Sequence, residues 1–239
     1  MVEGLTYTFA TPVLGGQASF TMLGAPGQVK VGIDAALTGP RGNSISGHAT
    51  DTRTTFADVF YQGALKWNFG VHNTMVYFTG NIPSGTYDSS RLANLSFGFT
   101  AIDGGAGYTY LNPATDNEFS VVAGMTYSGM NHDLQYQNGI DFHLDWGASH
   151  FLSKNLQIGM AGYYFQQLTG DSGDGATLGD FKGRVAGIGP QMGYLFPVSD
   201  TMQGAFSAKA YWEFAAENRP EGWNMWVGFV LSPKAPKKE

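Results

Sequence analysis

Residues 139–150 read GIDFHLDWGASH, and the reading of their alternation decides the fold. Ile140, Phe142, Leu144, Trp146 and Ala148 form one row, while Asp141, His143, Asp145, Gly147 and Ser149 form the other. A strand sends successive side chains to opposite faces, so one face here is apolar and the other carries carboxylates, an imidazole and a hydroxyl. The polar face is either a reactive cluster or the wet side of a sheet. The rest of the chain has to choose between them.

The same period of two runs through most of the sequence. LTYTFAT sets Leu5, Tyr7 and Phe9 against Thr6, Thr8 and Ala10, and VKVGIDAAL sets Val29, Val31, Ile33, Ala35 and Leu37 against Lys30, Gly32, Asp34 and Ala36. In QGAFSAKAYWEF, Phe206, Ala208, Ala210, Trp212 and Phe214 alternate with Gln203, Ala205, Ser207, Lys209, Tyr211 and Glu213. No stretch has helical spacing. Counting such segments predicts about twelve strands of roughly ten residues, the length a tilted strand needs to cross a bilayer. Connections alternate between long and polar (TGPRGNSISGHATDTR, SGTYDSSRLANLS, GMNHDLQYQN, LTGDSGDGATLGDF) and short (FGVHN, NPATDN, FLSKN, PVSD). That is the pattern of a transmembrane antiparallel up-and-down β-barrel.

Strand parity adds a condition. Gly16–Thr38 reads as one strand or as a strand broken at APG; taken as one strand, it leaves Gly4–Thr11 starting on the long-loop side, whereas bacterial barrels have an even strand count with both ends on the short-turn side. One strand is therefore expected ahead of Met1, unless GAPGQ is a hairpin turn. Residues 1–231 are read as a single barrel and 232–239 as a polar tail.

Composition supports a membrane wall over a soluble core. Charged residues are 13% of the chain, against about a quarter in soluble domains, while 43% are hydrophobic. The formal charge is −6 and there is no cluster of Lys and Arg before the tail, which argues against a nucleic-acid partner. Cysteine is absent, which removes disulfides, thiolate metal sites and a cysteine nucleophile. Aromatic residues collect near strand ends, at Trp67 and Phe69, Tyr163 to Phe165, Tyr211, Trp212 and Phe214, and Trp223 and Trp226, as in interfacial girdles.

By parity the inner, lumen-lining residues are Asp58, Gln62, Lys66, Asp141, His143, Asp145, Lys209 and Glu213, with both charge signs interspersed. DFHLD could instead orient His143 as the base of a barrel hydrolase. Same-face neighbours on a strand lie about 7 Å apart and a catalytic hydrogen bond spans about 3 Å, so a partner from an adjacent strand is required. No second motif supplies a nucleophile and oxyanion donors, which favours a hydrated wall and no enzymatic chemistry. A soluble barrel binding a lipophile is the other alternative. One histidine among carboxylates is a thin metal signature, and no metal or cofactor is expected. GDSGDG (170–175) contains the tetrad of trypsin-like nucleophiles, but it lies in a polar loop without a matching histidine segment. GIGPQMG (187–193) sits within a strand, and Pro190 suggests a bulge or kink there. In the long loops, Asp88, Arg91, Asp171 and Asp174 are candidates for restricting entry, with Arg91 paired to Asp88 and Arg219 to Glu217 or Glu221.

NIPSGTYDSSRLANL, YTYLNP, NGIDFHLDWGAS, GYYFQQLTGDSGDGATLGDFKGRVAGIGPQMGY and AENRPEGWNMWV, in this order, resemble the outer-membrane channel family linked to the meta-pathway of phenol degradation. The resemblance implies a monomeric twelve-stranded barrel in the bacterial outer membrane. Its partners would be outer-membrane lipid, the barrel-assembly machinery and a small, hydrophobic or aromatic solute taken up passively. Family members carry a signal and a strand ahead of the region matching Gly4–Thr11. Outer-membrane barrels usually finish on a C-terminal aromatic residue, whereas here Phe229, Val230 and Leu231 are followed by SPKAPKKE.

Overall fold

The computed structural model describes residues 3–234, which form thirteen β-strands and no helix. In chain order these are β1 (Glu3–Thr8), β2 (Gln17–Gly24), β3 (Pro26–Thr38), β4 (Ser44–Phe56), β5 (Val59–Phe69), β6 (His72–Ile82) and β7 (Ala101–Asn112). They continue as β8 (Asn117–Ser128), β9 (Asp141–Phe151), β10 (Leu156–Gln167), β11 (Arg184–Pro197), β12 (Met202–Glu217) and β13 (Trp223–Pro233). Eleven of them make one antiparallel sheet in the order β1-β2-β5-β6-β7-β8-β9-β10-β11-β12-β13, and β3 and β4 pair only with each other. Long connections join β6 to β7, β8 to β9 and β10 to β11 at one end, and tight turns lie at the other. β1 begins at the long-loop end, where Glu3 faces Gly24, as the parity count requires. Residues 235–239, most of the expected tail, lie outside the described residues, and β13 runs to Pro233.

The register divides every wall strand into two rows. One row runs through Thr21, Gln62, Thr79 and Asp103, with Thr126 and Asp141 following on β8 and β9. Side-chain hydrogen bonds that jump over an intervening strand belong to this row: Gln191 donates to Ser149 at 2.8 Å, and His143 meets Asp103 at 2.9 Å. Strands stand about 4.8 Å apart, so such reach requires the sheet to curve toward that face. The polar face is thus the concave one. The convex face presents Phe20, Met22, Val76, Phe78, Ile102, Phe119, Met125, Trp212, Met225 and Phe229, all exposed.

This inverts the soluble arrangement. Among the described residues the buried apolar side chains are Ala93, Ala161, Val185 and Tyr211, whereas the buried polar ones are Asp58, Asn81, Ser96, Asp103, Ser128, Asn131, Ser149 and Gln167. An exposed apolar belt around a polar interior is stable where the surroundings are hydrocarbon.

Two expectations change. GAPGQ is not a hairpin turn: the segment Gly16–Thr38 breaks at APG, where the chain passes from β2 into β3 at Ala25, and much of the expected long loop is β4. Val29, Ile33 and Leu37 sit opposite Arg53, Ala49 and Ile45, so β3 and β4 form a ribbon of thirteen residues per arm. At about 3.3 Å per residue it projects roughly 40 Å from the wall. Thr50, Thr52, Thr54 and Thr55 supply strand propensity that was hidden by the loop's charges and glycines. Pro190 makes no bulge either. It faces Met160, and with Ile188 opposite Trp212 and Gln191 opposite Lys209 the register is the same on both sides of it. Lacking an N–H, Pro190 only omits a rung toward β12. The irregularity lies at Arg184 and Ala186, where Ala215 of the partner strand takes a φ of 56° and absorbs the extra residue.

Candidate functional site

The concave face carries the candidate site, and its most connected part centres on β9. His143 Nε2 lies 2.9 Å from Asp103 Oδ2 on β7 and 3.3 Å from the Tyr77 hydroxyl on β6. Thr126 of β8 donates to the same Asp103 oxygen at 2.6 Å, and His143 Nδ1 faces Asp145 at 3.7 Å. Two strands, β7 and β8, separate Tyr77 from His143, so something must be missing between them. A Cβ on Gly124 of β8 would fall 2.3 Å from the Tyr77 oxygen and 2.7 Å from His143 Nε2. The glycine leaves the gap in which phenol, imidazole and carboxylate meet.

A second group covers β10, β12 and β13. Tyr163 donates to Glu213 Oε1 at 2.5 Å and accepts from Asn224 Nδ2 at 3.2 Å, while Trp226 Nε1 donates to Asn224 Oδ1 at 3.0 Å. Glu213 Oε2 also accepts the Gly222 amide at 2.9 Å. Tyr163 and Tyr211 pack edge to face, with ring centres 5.1 Å apart.

Of the residues expected on the inner row, Gln62, Lys66, Asp141, His143, Asp145, Lys209 and Glu213 share this face by register. Asp58 does not behave as a wetted wall residue. It lies between β4 and β5, 1% exposed, where its carboxylate accepts from Asn81 Nδ2 (2.9 Å), Gly85 N (3.1 Å) and Phe97 N (3.0 Å). Parity could not show this, because the chain leaves the strand at Ala57. Asp58 fastens the β6–β7 loop.

The loop pairings also differ from those expected. Arg91 does not pair with Asp88: its guanidinium grips both Asp51 oxygens on β4, and the Ala93 amide adds a bond to Asp51 at 3.0 Å. These bonds hold the Asp51 carboxyl well below the usual carboxylate range. Asp88 instead accepts from the Ser90 hydroxyl and amide, which lower its pKa. Arg219 stacks on the Phe165 ring at 4.7 Å, Glu217 pairs with Arg184 at 2.8 Å, and Glu221 accepts the Ala216 amide. Asp171 ties the β8–β9 and β10–β11 loops together by accepting from Tyr136 (2.5 Å), Gly139 N (3.1 Å) and Gln167 Nε2 (2.6 Å). Burial, and then the Asp171 carboxylate, push the Tyr136 phenol up. Asp174 is exposed.

Sequence reasoning missed Tyr77, Asp103 and Thr126, whose rows alternate but whose convergence needs the sheet's curvature. It also assigned Tyr163, Phe165, Tyr211 and Trp226 to interfacial girdles. Their register puts them on the concave face with Asp145, His143, Glu213 and Lys209, whereas Tyr164, Trp212, Phe214 and Trp223 face outward. Parity separates the two sets, while proximity to strand ends does not.

Residues 2–229 match the model of a family described as "Putative MetA-pathway of phenol degradation". The fold is similar to that of an outer membrane channel from Pseudomonas putida, with a TM-score of 0.69 at 10% identity, covering 96% of this chain and 80% of that one. No curated protein matches the chain. The architecture is that of an antiparallel up-and-down β-barrel.

Proposed function

Since this chain belongs to the family of the MetA-pathway of phenol degradation, we propose that it is a passive outer-membrane channel for small hydrophobic or aromatic molecules. The observation that carries this reading is the inverted distribution of side chains, with polar groups on the concave face and exposed large apolar groups on the convex one. Lipid solvates the convex face, and water and solute occupy the concave one. On this reading Gln62, Lys66, Asp141, His143, Asp145, Lys209 and Glu213 line the lumen, and carboxylates and cations on opposing strands orient polar solutes across it. The loops fastened by Asp171 and Arg91 narrow the outer mouth, and the β3–β4 ribbon stands clear of the membrane.

The arrangement around His143 favours a wall over a hydrolase. Its Nε2 is occupied by Asp103 and Tyr77, and no serine or threonine hydroxyl hydrogen-bonds to the ring among the described residues. Purified, heat-modifiable protein in liposomes is expected to pass labelled aromatic acids, and in planar bilayers to conduct. Folded protein that does neither sinks the channel. Loss of a hydrolytic activity in His143→Ala, with folding intact, would shift the reading to an enzyme.

A further inference from the structure

Six consecutive inward positions on β12 are Gln203, Ala205, Ser207, Lys209, Tyr211 and Glu213. The outermost polar residues of this row are engaged: Gln203 donates to Ser232 at 3.3 Å, and Glu213 accepts from Tyr163 and Gly222. The middle is different. Among the described residues, no side-chain acceptor meets the hydroxyl of Ser207, the ammonium of Lys209 or the hydroxyl of Tyr211, so three donors stand in a row without partners. They open into a cavity of about 680 Å³ whose walls include Tyr163, Asn224, Trp226 and, across the sheet, Asp145.

The register makes this a compact patch. Lys209 is directly opposite Trp226 and Tyr211 directly opposite Asn224, so ammonium, indole, phenol and amide sit at the corners of one tile. Directly opposed pairs are about 5 Å apart and same-strand neighbours about 7 Å. The amide corner is locked by its bonds to Tyr163 and Trp226, which fixes the indole, and Tyr163 buttresses the Tyr211 ring. Glu213 and Asn224 are already hydrogen-bonded, Asp145 on β9 faces His143 Nδ1, and Gln191, opposite Lys209 on β11, is turned to Ser149. An occupant must therefore bring its own acceptors to the β12 row and a flat apolar body to the ring-lined wall.

We propose that this cavity is a binding station for aromatic carboxylates. The carboxylate accepts from Lys209, with Tyr211 or Ser207 supplying the second bond, and the ring lies against Trp226 and Tyr211. An ionised acceptor makes the stronger hydrogen bond, and a neutral lipophile would leave the ammonium desolvated and unpaired. An organic cation meets Lys209 as a like charge. Asp145 and Glu213, which share one register row with Tyr163 beyond Tyr211, repel the carboxylate and so keep the anionic end of the ligand at Lys209 and Ser207. The volume suits a ring with its accompanying waters. This inference rests on the channel reading, and it names the solute class for one part of the lumen.

Benzoate binding to the folded, detergent-solubilised full chain, followed by calorimetry, tests it, with acetate and benzylammonium as comparison probes. Saturable binding of benzoate, with acetate and benzylammonium weaker, is expected. Lys209→Met should weaken benzoate by about tenfold or more, the usual worth of a hydrogen bond to a charged group. Lys209→Arg should keep the affinity, and so should Lys154→Met, which removes the same charge from a short turn. Absence of saturable benzoate binding, equal affinity in heat-modifiable Lys209→Met protein, or benzylammonium binding as tightly as benzoate would overturn the station. A protein that conducts in bilayers yet shows no benzoate binding overturns the station alone, and one that binds benzoate but neither conducts nor passes solutes overturns the channel alone.

Discussion

The β3–β4 ribbon and the β9–β12 wall are written in the same alternating code but meet different surroundings. Each wall strand is clamped between two neighbours, so one row is forced onto the concave face and the other onto the convex face. The ribbon's arms have only each other. Ile33, Leu37 and Ile45, which would be lipid contacts in the wall, stay exposed beside Asp34 and His48, themselves paired at 2.6 Å. Alternation thus specifies a strand, while the number of neighbours decides whether its pattern becomes an inside and an outside.

A glycine from each region breaks this comparison most sharply. A Cβ at Gly189 of β11 would fall 1.8 Å from the Ala210 carbonyl oxygen and 2.8 Å from its carbon, whereas one at Gly47 of β4 meets nothing within 4 Å. Gly189→Val should push β12 off its neighbour at a cost of about 3 kcal/mol or more, and is expected to abolish heat-modifiable folding. Gly47→Val should fold as the parent does. Equal electrophoretic behaviour of the two variants in unboiled samples would mean that wall and ribbon are equally tolerant.

The junction between the regions gives the next effect. Asp58→Ala leaves the Asn81 amide and the Gly85 and Phe97 N–H groups without their acceptor in a sealed site. The cost should be about 2 kcal/mol, felt in the β6–β7 loop and not in the wall. Limited proteolysis is expected to cut the variant between residues 83 and 100 while the barrel stays resistant. A loop as resistant as the parent's would show that Asp58 is not its fastening.

These contrasts also show what the sequence could reveal. Period-two rows exposed the wall strands and most of the inner row, because parity is a local property. Asp58 escaped because parity ends where the chain kinks, and the Tyr77–Asp103–His143 meeting escaped because it depends on curvature and on an absent Cβ at Gly124. The ribbon was legible as far as Thr38 but not in β4, where Arg53, Asp51 and His48 gave the stretch the polarity of a loop. Arg91 was matched to Asp88 by nearness in sequence, while its real partner lies forty residues away on that unrecognised strand.

That pair supplies the smallest and most conditional effect, a pH-dependent latch between ribbon and mouth. Bonds from Arg91 and the Ala93 amide depress the Asp51 pKa. A carboxyl whose folded-state pKa lies below its unfolded value of about 3.9 contributes its stabilisation fully above that value and loses it as pH falls through the depressed one. The latch should therefore be indifferent to pH from 7 to about 5 and loosen only in stronger acid. Because the chain has no cysteine, spin labels at Ser46→Cys and Ser89→Cys would report the distance from ribbon to loop without background. The distance distribution should be narrow at neutral pH, broaden below the ordinary carboxylate range, and be broad at every pH when Asp51→Asn is added. If the Asp51→Asn protein keeps a narrow distribution, the base of the ribbon is held by packing around Ala93 and by the Arg53–Asn94 bond of 3.0 Å, and the charged pair contributes nothing to its position.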